Sequence, residues 1–503
     1  MADIVLYKHN HGEYKLVMVY PNREEFALSS LGYMWLYKIA AETEGISAER
    51  ISTDSINVNS AQIDALAFSL SFDFDYLGVL EILDKLKIPF YSNERGEDFP
   101  LVFAGGPVIT TNPVPYQKFF DFMMLGDGDE NFSKVLKVLS LKLPKKETLQ
   151  KLSEIEGVYI PNFSVKRASA NLSEVIYTPI ISDKSYFKNT FILEIARGCM
   201  NRCAFCTASY TNLPFRENEY KKIIETIDLG LKYTNKIALL GAQVSAHPRF
   251  EEIMNYIKEK MDNGVKIELG ISSLRTDAVN PKFIQILVQG GQKHSTIAIE
   301  AASERLRKFI NKNLKEEQIL SAVQIARENG LKGLKIYSML GIPTETKEDI
   351  DEFLRLAKKI KDENKGLNIE FSFSTFVPKP QTPLQWSKRE DTKTLEKKQK
   401  YLEKELSKIG VQSKFSSPKW DYWQTVLSRG DETISELMIY VYRAGGKLGA
   451  YKSALKDLKL DISKMVDGYD FDETLPWDVI EYNPQKQLLL NEYKRLEKYS
   501  ILG

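Results

Sequence analysis

Residues 189–206 read NTFILEIARGCMNRCAFC, an apolar strand running straight into a loop that carries every cysteine of the chain. Phe191, Ile192, Leu193 and Ile195 supply the run expected of a buried strand, and Gly198 ends it. Cys199, Cys203 and Cys206 follow in the spacing C-x3-C-x2-C. Thiolates are soft ligands suited to iron–sulfur clusters or zinc, and one short loop can aim three of them at a single site. A structural zinc site would take a fourth Cys or His, whereas three ligands on a four-iron cubane leave one iron open. The four histidines (His9, His11, His247 and His294) are scattered, none beside the loop in sequence. Buried cysteine is often only a small core residue, but unrelated thiols would not gather at one strand end. An odd number of cysteines in 503 residues also excludes a disulfide framework.

Outward from this stretch, apolar runs recur at regular spacing: KIALLGAQ (236–243), VKIELGISSLR (265–275), STIAIEAAS (295–303), LKGLKIYSMLGIP (331–343) and LNIEFSFSTFVPKP (367–380). Amphipathic helical patterns such as KEDIDEFLRLAKKIK separate them. Six strands so spaced predict an incomplete (β/α)6 barrel over 189–390, whose chemistry belongs at the carboxyl ends of the strands. Upstream, KLVMVYPN (15–22), AERIS (48–52), ALAFSLSF (65–72), PLVFAGGP (100–107) and FFDFMMLGDGDE (119–130) alternate with helical segments. That pattern predicts a doubly wound α/β domain over 1–150, binding its ligand near Ser69, Ser71, Gly105 and Gly106 at the strand ends. A lysine-rich helical stretch (133–155) and a connection over 151–188 follow it, and 391–503 reads as a helical C-terminal domain.

The composition agrees. At roughly 100–200 residues per domain the length predicts about three domains. Sixty-nine Lys and Arg against 68 Asp and Glu leave no global basic field for nucleic acid or an anionic membrane. Nowhere do ~18 consecutive apolar residues occur, and the start lacks a secretory apolar core, so a cytoplasmic protein with no membrane partner is expected.

With Phe205 ahead of the last thiol, the cysteine loop matches the signature of the radical S-adenosylmethionine superfamily, and the incomplete barrel is similar to that superfamily's fold. The resemblance implies that Cys199, Cys203 and Cys206 hold a [4Fe–4S] cluster and that S-adenosylmethionine chelates its open iron through amino and carboxylate groups. The reduced cluster then cleaves the C5′–S bond to a 5′-deoxyadenosyl radical, with an electron from a reductant such as flavodoxin or ferredoxin. By the same resemblance, Gly241 and Gln243 occupy the glycine loop that receives the methionyl amino group, without the acidic residue usual there. Ser272, Ser273 and Arg275 look like the polar set for the carboxylate or ribose. Gly341 and Pro343 resemble the fifth-strand motif near the adenine. Glu300 is read either as a ribose or proton-handling carboxylate or as an ion pair with Arg305 or Arg307. His247 is a candidate proton donor facing the mouth, and Lys379 a candidate contact for an anionic substrate.

A parallel α/β domain ahead of the barrel resembles the class with an N-terminal cobalamin-binding, Rossmann-like domain. Gly105-Gly106-Pro107, Asn112-Pro113, Gly126-Asp127-Gly128-Asp129-Glu130, Ser428-Arg429-Gly430-Asp431 and Leu475-Pro476-Trp477-Asp478 resemble a bacterial family of cobalamin-domain-like radical proteins over nearly the whole chain. The Asp-x-His-x-x-Gly element that supplies a histidine to cobalt is absent; the corresponding loop is Pro21–Gly32. Gly126–Glu130 itself reads as a turn, because its acidic residues would repel phosphate. No thiols remain for the second cluster of methylthiotransferases. Three readings stay open: a cobalamin-dependent methyltransferase, a corrinoid-free enzyme modifying RNA or protein, and a non-catalytic iron–sulfur module acting as a redox sensor. The substrate, whether small molecule, RNA or protein, is not named by the sequence.

Overall fold

The computed structural model describes residues 3–59, 62–161, 163–271, 274–481 and 486–500. Its first sheet contains β1 (Tyr14–Tyr20), β2 (Ile46–Ser52), β3 (Ala65–Ser69), β4 (Leu101–Gly105), β5 (Phe122–Met124) and β6 (Val158–Tyr159), in the spatial order β2-β1-β3-β4-β5-β6. The first five strands are parallel, and β6 runs antiparallel to β5. Alternation along β1 sends Leu16 and Met18 into one core with Tyr33, Phe103 and Phe122. Val17 and Val19 enter a second core with Leu66, Phe68 and Val102. This second face is covered by Tyr76–Lys85 and by helices from far along the chain, Ile434–Arg443 and Leu448–Leu458, which contribute Leu437, Met438 and Tyr451. The Tyr76 and Tyr451 hydroxyls meet at 2.6 Å within it. Both faces are apolar because both are buried.

The barrel is an arc of parallel strands: β7 (Thr190–Glu194), β8 (Lys236–Leu240), β9 (Glu268–Ile271), β10 (His294–Glu300), β11 (Gly333–Leu340), β12 (Asn368–Thr375) and β13 (Gln412–Phe415). β7–β9 and β10–β13 pair as separate sheets, and among the described residues a bridge between Leu274, beyond β9, and Ile297 of β10 links them. Phe191, Leu193, Ile237, Leu239, Ile336 and Phe371 point outward and share a core with the surrounding helices. The alternate positions include Ala238, Gly270, Ala298, Ser372 and Ser374; Ile192 and Ala238 on this face pack against Leu31 and Trp35 of the first domain, while the small residues of β12 leave a bay open beside Glu300.

Two segments differ from the pattern read in the sequence. The helix Thr392–Lys408 packs Leu395, Leu402 and Leu406 into the barrel core and returns the chain to β13, a seventh strand beyond the six expected. QSKF offers no apolar run to betray it. The lysine-rich stretch forms two helices, Asn131–Leu139 and Lys145–Leu152, parted where Lys142 takes a φ of +51° and Pro144 precedes the second helix.

Candidate active site at the cysteine loop and the interdomain cleft

The cysteine loop springs from a short antiparallel ribbon in which Ala196 and Arg197 pair with Glu217 and Arg216. Gly198 opens it with a φ of +81°, and a Cβ there would lie 2.3 Å from the Asn212 carbonyl oxygen. Backbone bonds then fix its course. Cys203 N donates to Asn201 O (2.7 Å), Cys206 N to Cys203 O (3.1 Å) and Ala204 N to Ile310 O (2.9 Å). Arg202 O accepts from the Tyr210 hydroxyl (3.0 Å) and from Asn311 Nδ2 (2.7 Å). Ala204 and Phe205 pack against Ala301, Leu306, Met339 and Phe376.

Cys203 is buried, Cys199 and Cys206 partly so. Burial pushes the Cys203 thiol up to about 12, opposed by the nearby Lys312 and Arg275 cations. Among the described residues no three Cys, His, Asp or Glu side chains yet converge as ligands. The Cys199 thiol instead lies 3.7 Å from Gln243 Oε1 and 3.8 Å from Asn201 O. What fits an iron–sulfur cluster is the donor set and its setting. Three thiols share one braced loop, and in its dry environment Cys203 gains a thiolate only when a metal cation replaces the proton.

Around the loop the other strand ends assemble a mouth. Gly241 approaches so closely that a Cβ would lie 2.9 Å from Ala196 O. Glu300, in left-handed backbone at φ +65°, pairs with Lys312 Nζ at 3.1 Å. Neither suggested arginine is its partner. Arg305 pairs with Asp349, and the buried Arg307 donates to Ala301 O and Leu314 O. Arg275 Nε meets Asp277 at 2.7 Å, and its Nη2 reaches Lys312 O at 3.4 Å. Ser272 and Ser273 lie outside the described residues. Gly341, at φ +76°, donates its N–H to Glu345 Oε1 (3.0 Å), and Lys398 holds that carboxylate at 2.6 Å; Pro343 lies in the same turn. A bay of ≈ 490 Å³ opens beside Phe205 and Glu300, lined also by Tyr337, Ser372, Ser374 and Lys414.

Two expectations are corrected. His247 is buried, its Nδ1 accepting from Arg249 N–H (3.1 Å) and its Nε2 donating to Asn218 O (2.9 Å), so both nitrogens are committed to fastening a loop and no proton faces the mouth. Lys379 is held by Asp73 at 2.7 Å and is not poised for a substrate anion.

The carboxyl edge of the first sheet faces the ends of β7 and β8 across a cleft of ≈ 510 Å³, and the cysteine loop starts two residues beyond Arg197 on its far wall. Ser69, Ser71, Gly105 and Gly106 line it from one side, Leu240 and Arg197 from the other. Gly106, at φ +109°, would carry a Cβ only 2.4 Å from Leu70 O. The cleft lies at the β1/β3 switch point, where chain order reverses, and Ser30, Leu31 and Gly32 line it from the loop that lacks the histidine element.

The sequence reading missed one constellation. Asp127 and Asp129, read as part of a turn, bind barrel arginines. Arg197 forks onto Asp129 (2.5 and 3.2 Å) and Glu194 (2.6 and 3.1 Å) and touches Asp127 at 3.0 Å. Arg216 takes the other Asp127 oxygen at 2.5 Å and Ala170 O at 2.6 Å. The two arginines hold Asp127 below the usual carboxylate range despite its burial, which pushes the other way. Acidic residues flanking Gly126 and Gly128 were the only signal, and they do not say which cations they meet.

Comparison with known proteins gives two family matches, radical SAM proteins, N-terminal, over residues 40–161, and the radical SAM superfamily over residues 193–357. An uncharacterized protein of Methanocaldococcus jannaschii is 31% identical over 455 residues, covering 89% of this chain and 95% of its own. An uncharacterized methyltransferase of Pyrococcus horikoshii is 27% identical over 299 residues, 56% of this chain and 62% of its own. Among solved structures, the cobalamin-dependent S-adenosylmethionine radical enzyme OxsB with aqua-cobalamin bound aligns over 97% of this chain and 80% of its own, with a TM-score of 0.56 at 13% identity. The radical S-adenosylmethionine methyltransferase TsrM from Kitasatospora setae, with cobalamin and a [4Fe-4S] cluster bound, aligns over 72% and 75% with a TM-score of 0.54 at 12% identity.

Proposed function

This chain belongs to the radical S-adenosylmethionine superfamily, in the class with a cobalamin-type domain ahead of the barrel, and on that premise we propose that it is a cobalamin-dependent methyltransferase. It is an enzyme of that superfamily; the methyl transfer and the corrinoid are our reading. The observation that carries it is the cleft that runs from the switch point of the first sheet to the barrel rim at Glu194, Arg197 and Leu240, the strand ends from which the cysteine loop departs. OxsB and TsrM, which share this order of folds, are described as cobalamin-dependent or cobalamin-bound.

Cys199, Cys203 and Cys206 would hold a [4Fe–4S] cluster, which when bound supplies the electron for reductive cleavage of S-adenosylmethionine. The chain's own residues do the rest by placement. Gly241 lets the backbone after β8 approach the loop without a side chain in the way. Arg275 offers a guanidinium suited to a carboxylate, and Lys312 with Glu300 places a compensated charge pair beside Cys203. Gly105 and Gly106 keep the floor of the cleft free of side chains, so a planar ligand can lie on backbone. Ala204, Ala301 and Leu306, buried behind the loop, exclude water on the far side. We assign the doubly wound domain to 1–150, the connection to 151–188, the barrel to 189–390 and the helical part to 391–503, with the helix Thr392–Lys408 and β13 completing the barrel arc from the last of these.

As in the superfamily generally, an external reductant and a separate substrate are needed. No described helix is long and apolar enough to cross a membrane, and we place the protein in the cytoplasm. Protein reconstituted without oxygen and reduced with dithionite should release 5′-deoxyadenosine from S-adenosylmethionine, and after incubation with hydroxocobalamin and desalting it should keep a corrin absorption spectrum. Loss of all corrin on desalting would remove the methyltransferase reading and leave a corrinoid-free enzyme.

A further inference from the structure

Arg197 sits two residues before Cys199, yet most of its bonds leave the cysteine loop for the opposite domain. Its guanidinium donates in a fork to Asp129 and in a second fork to Glu194, and touches Asp127. Its ribbon partner Arg216 secures Asp127 and Ala170 O. Asp127 N donates to Ala168 O, and its second carboxylate oxygen accepts from Ala170 N (3.0 Å). The side chains of Arg197, Asp127, Asp129 and Glu194 are only 12–19% exposed. Three carboxylates thus face two guanidiniums where water screens little, so no member can move without leaving a desolvated charge unpaired. Asp127, Asp129, Glu194 and Arg197 all line the cleft, and Arg197 continues through Gly198 into the first cysteine.

We propose that Arg197 is a positioning residue that couples what occupies the cleft to the geometry of the cysteine loop. A ligand seated on the first sheet's edge meets the Gly126–Asp129 loop, and any shift of that loop is handed to Arg197 through two-point bonds that fix direction as well as distance. By linkage, S-adenosylmethionine at the mouth must act back on the cleft by the same factor. Lysine is the informative replacement, because it keeps the charge but cannot fork.

The inference rests on the cobalamin reading for its first test and not for its second. Titrating S-adenosylmethionine calorimetrically into unreduced, reconstituted protein, with and without saturating hydroxocobalamin, should show affinities differing about fivefold or more in the wild type, the low end of usual coupling. In Arg197→Lys the ratio should fall below about twofold, with corrin still retained on desalting, which a merely weakened fold would not give. A wild-type ratio within about twofold, or an unchanged ratio in Arg197→Lys, overturns the coupling. If the wild type retains no corrin, the cofactor reading fails on its own, and hydrogen exchange decides the coupling. Asp129→Asn should then speed exchange at the amides of 199–206 as well as in its own loop, and an increase confined to 126–130 overturns the proposal.

Discussion

The two parallel sheets of this molecule spend their faces differently. The doubly wound sheet buries both, Leu16 and Met18 on one side and Val17 and Val19 on the other, so its carboxyl edge is the free part. The barrel buries its outer face throughout, while the inner one is covered only in part, Ile192 and Ala238 packing against Leu31 and Trp35, and elsewhere carries small residues such as Gly270, Ala298 and Ser372, which leaves an edge and a bay. One sheet can therefore hold a flat ligand against its rim, while the other can hold a cofactor at its rim and take a second molecule inside. A cleft lies between the two rims, and on the function proposed above it is where a group would pass from one to the other.

The largest expected effect lies at the barrel rim. Cys203→Ala should lose iron and S-adenosylmethionine cleavage together, read by iron analysis and 5′-deoxyadenosine release; iron near the wild-type stoichiometry would refute the ligand assignment. Next comes the contrast between faces. Phe371, buried against the outer helices, should cost about 3–5 kcal/mol when changed to alanine, seen in denaturant unfolding. Its lumen-facing neighbour tests the other half of the claim. Ser372→Ala should stay within about 0.5 kcal/mol of wild type, and a loss comparable to that of Phe371 would mean the lumen is packed after all.

A pH effect separates the rims further. Asp75 caps the turn after β3, accepting from the Ser71 and Phe72 amides at 2.8 Å, and burial raises its carboxyl to about 6. A raised carboxyl favours the folded state while protonated. Its contribution is complete below the unfolded value near 3.8 and is lost as pH climbs to about 6. Asp75→Asn should remove that slope, about 2–3 kcal/mol across the window, from the pH dependence of unfolding; parallel curves for the two proteins would contradict it.

What could be read from sequence and what could not divides along physical lines. Buried strands announce themselves by apolar runs, so β1 to β5 and β7 to β12 were legible, as was the loop that gathers the thiols. The three polar residues and lone Phe415 of β13 announce nothing, because an edge strand half open to water needs no apolar alternation. Pairings between distant segments were also hidden. Glu300 had two arginines close by in sequence and took Lys312 instead, since the turn after Phe309 brings that ammonium back to the strand end. Asp129 and Arg197, 68 positions apart, meet only once both domains exist. His247 showed the converse error. A histidine near a mouth suggests chemistry, yet a backbone N–H and a carbonyl had already claimed both its nitrogens.

The helices laid across the second face of the first sheet set an order of events in the cell. Leu66, Phe68 and Val102 emerge early in synthesis, but the distant part of their cover, Leu437 to Tyr451, leaves the ribosome more than 300 residues later, roughly 15–70 s at 5–20 residues per second. For that interval only the local helix Tyr76–Lys85 shields this face, part of an oily surface stays open to water, and the protein should lean on chaperones until its tail arrives.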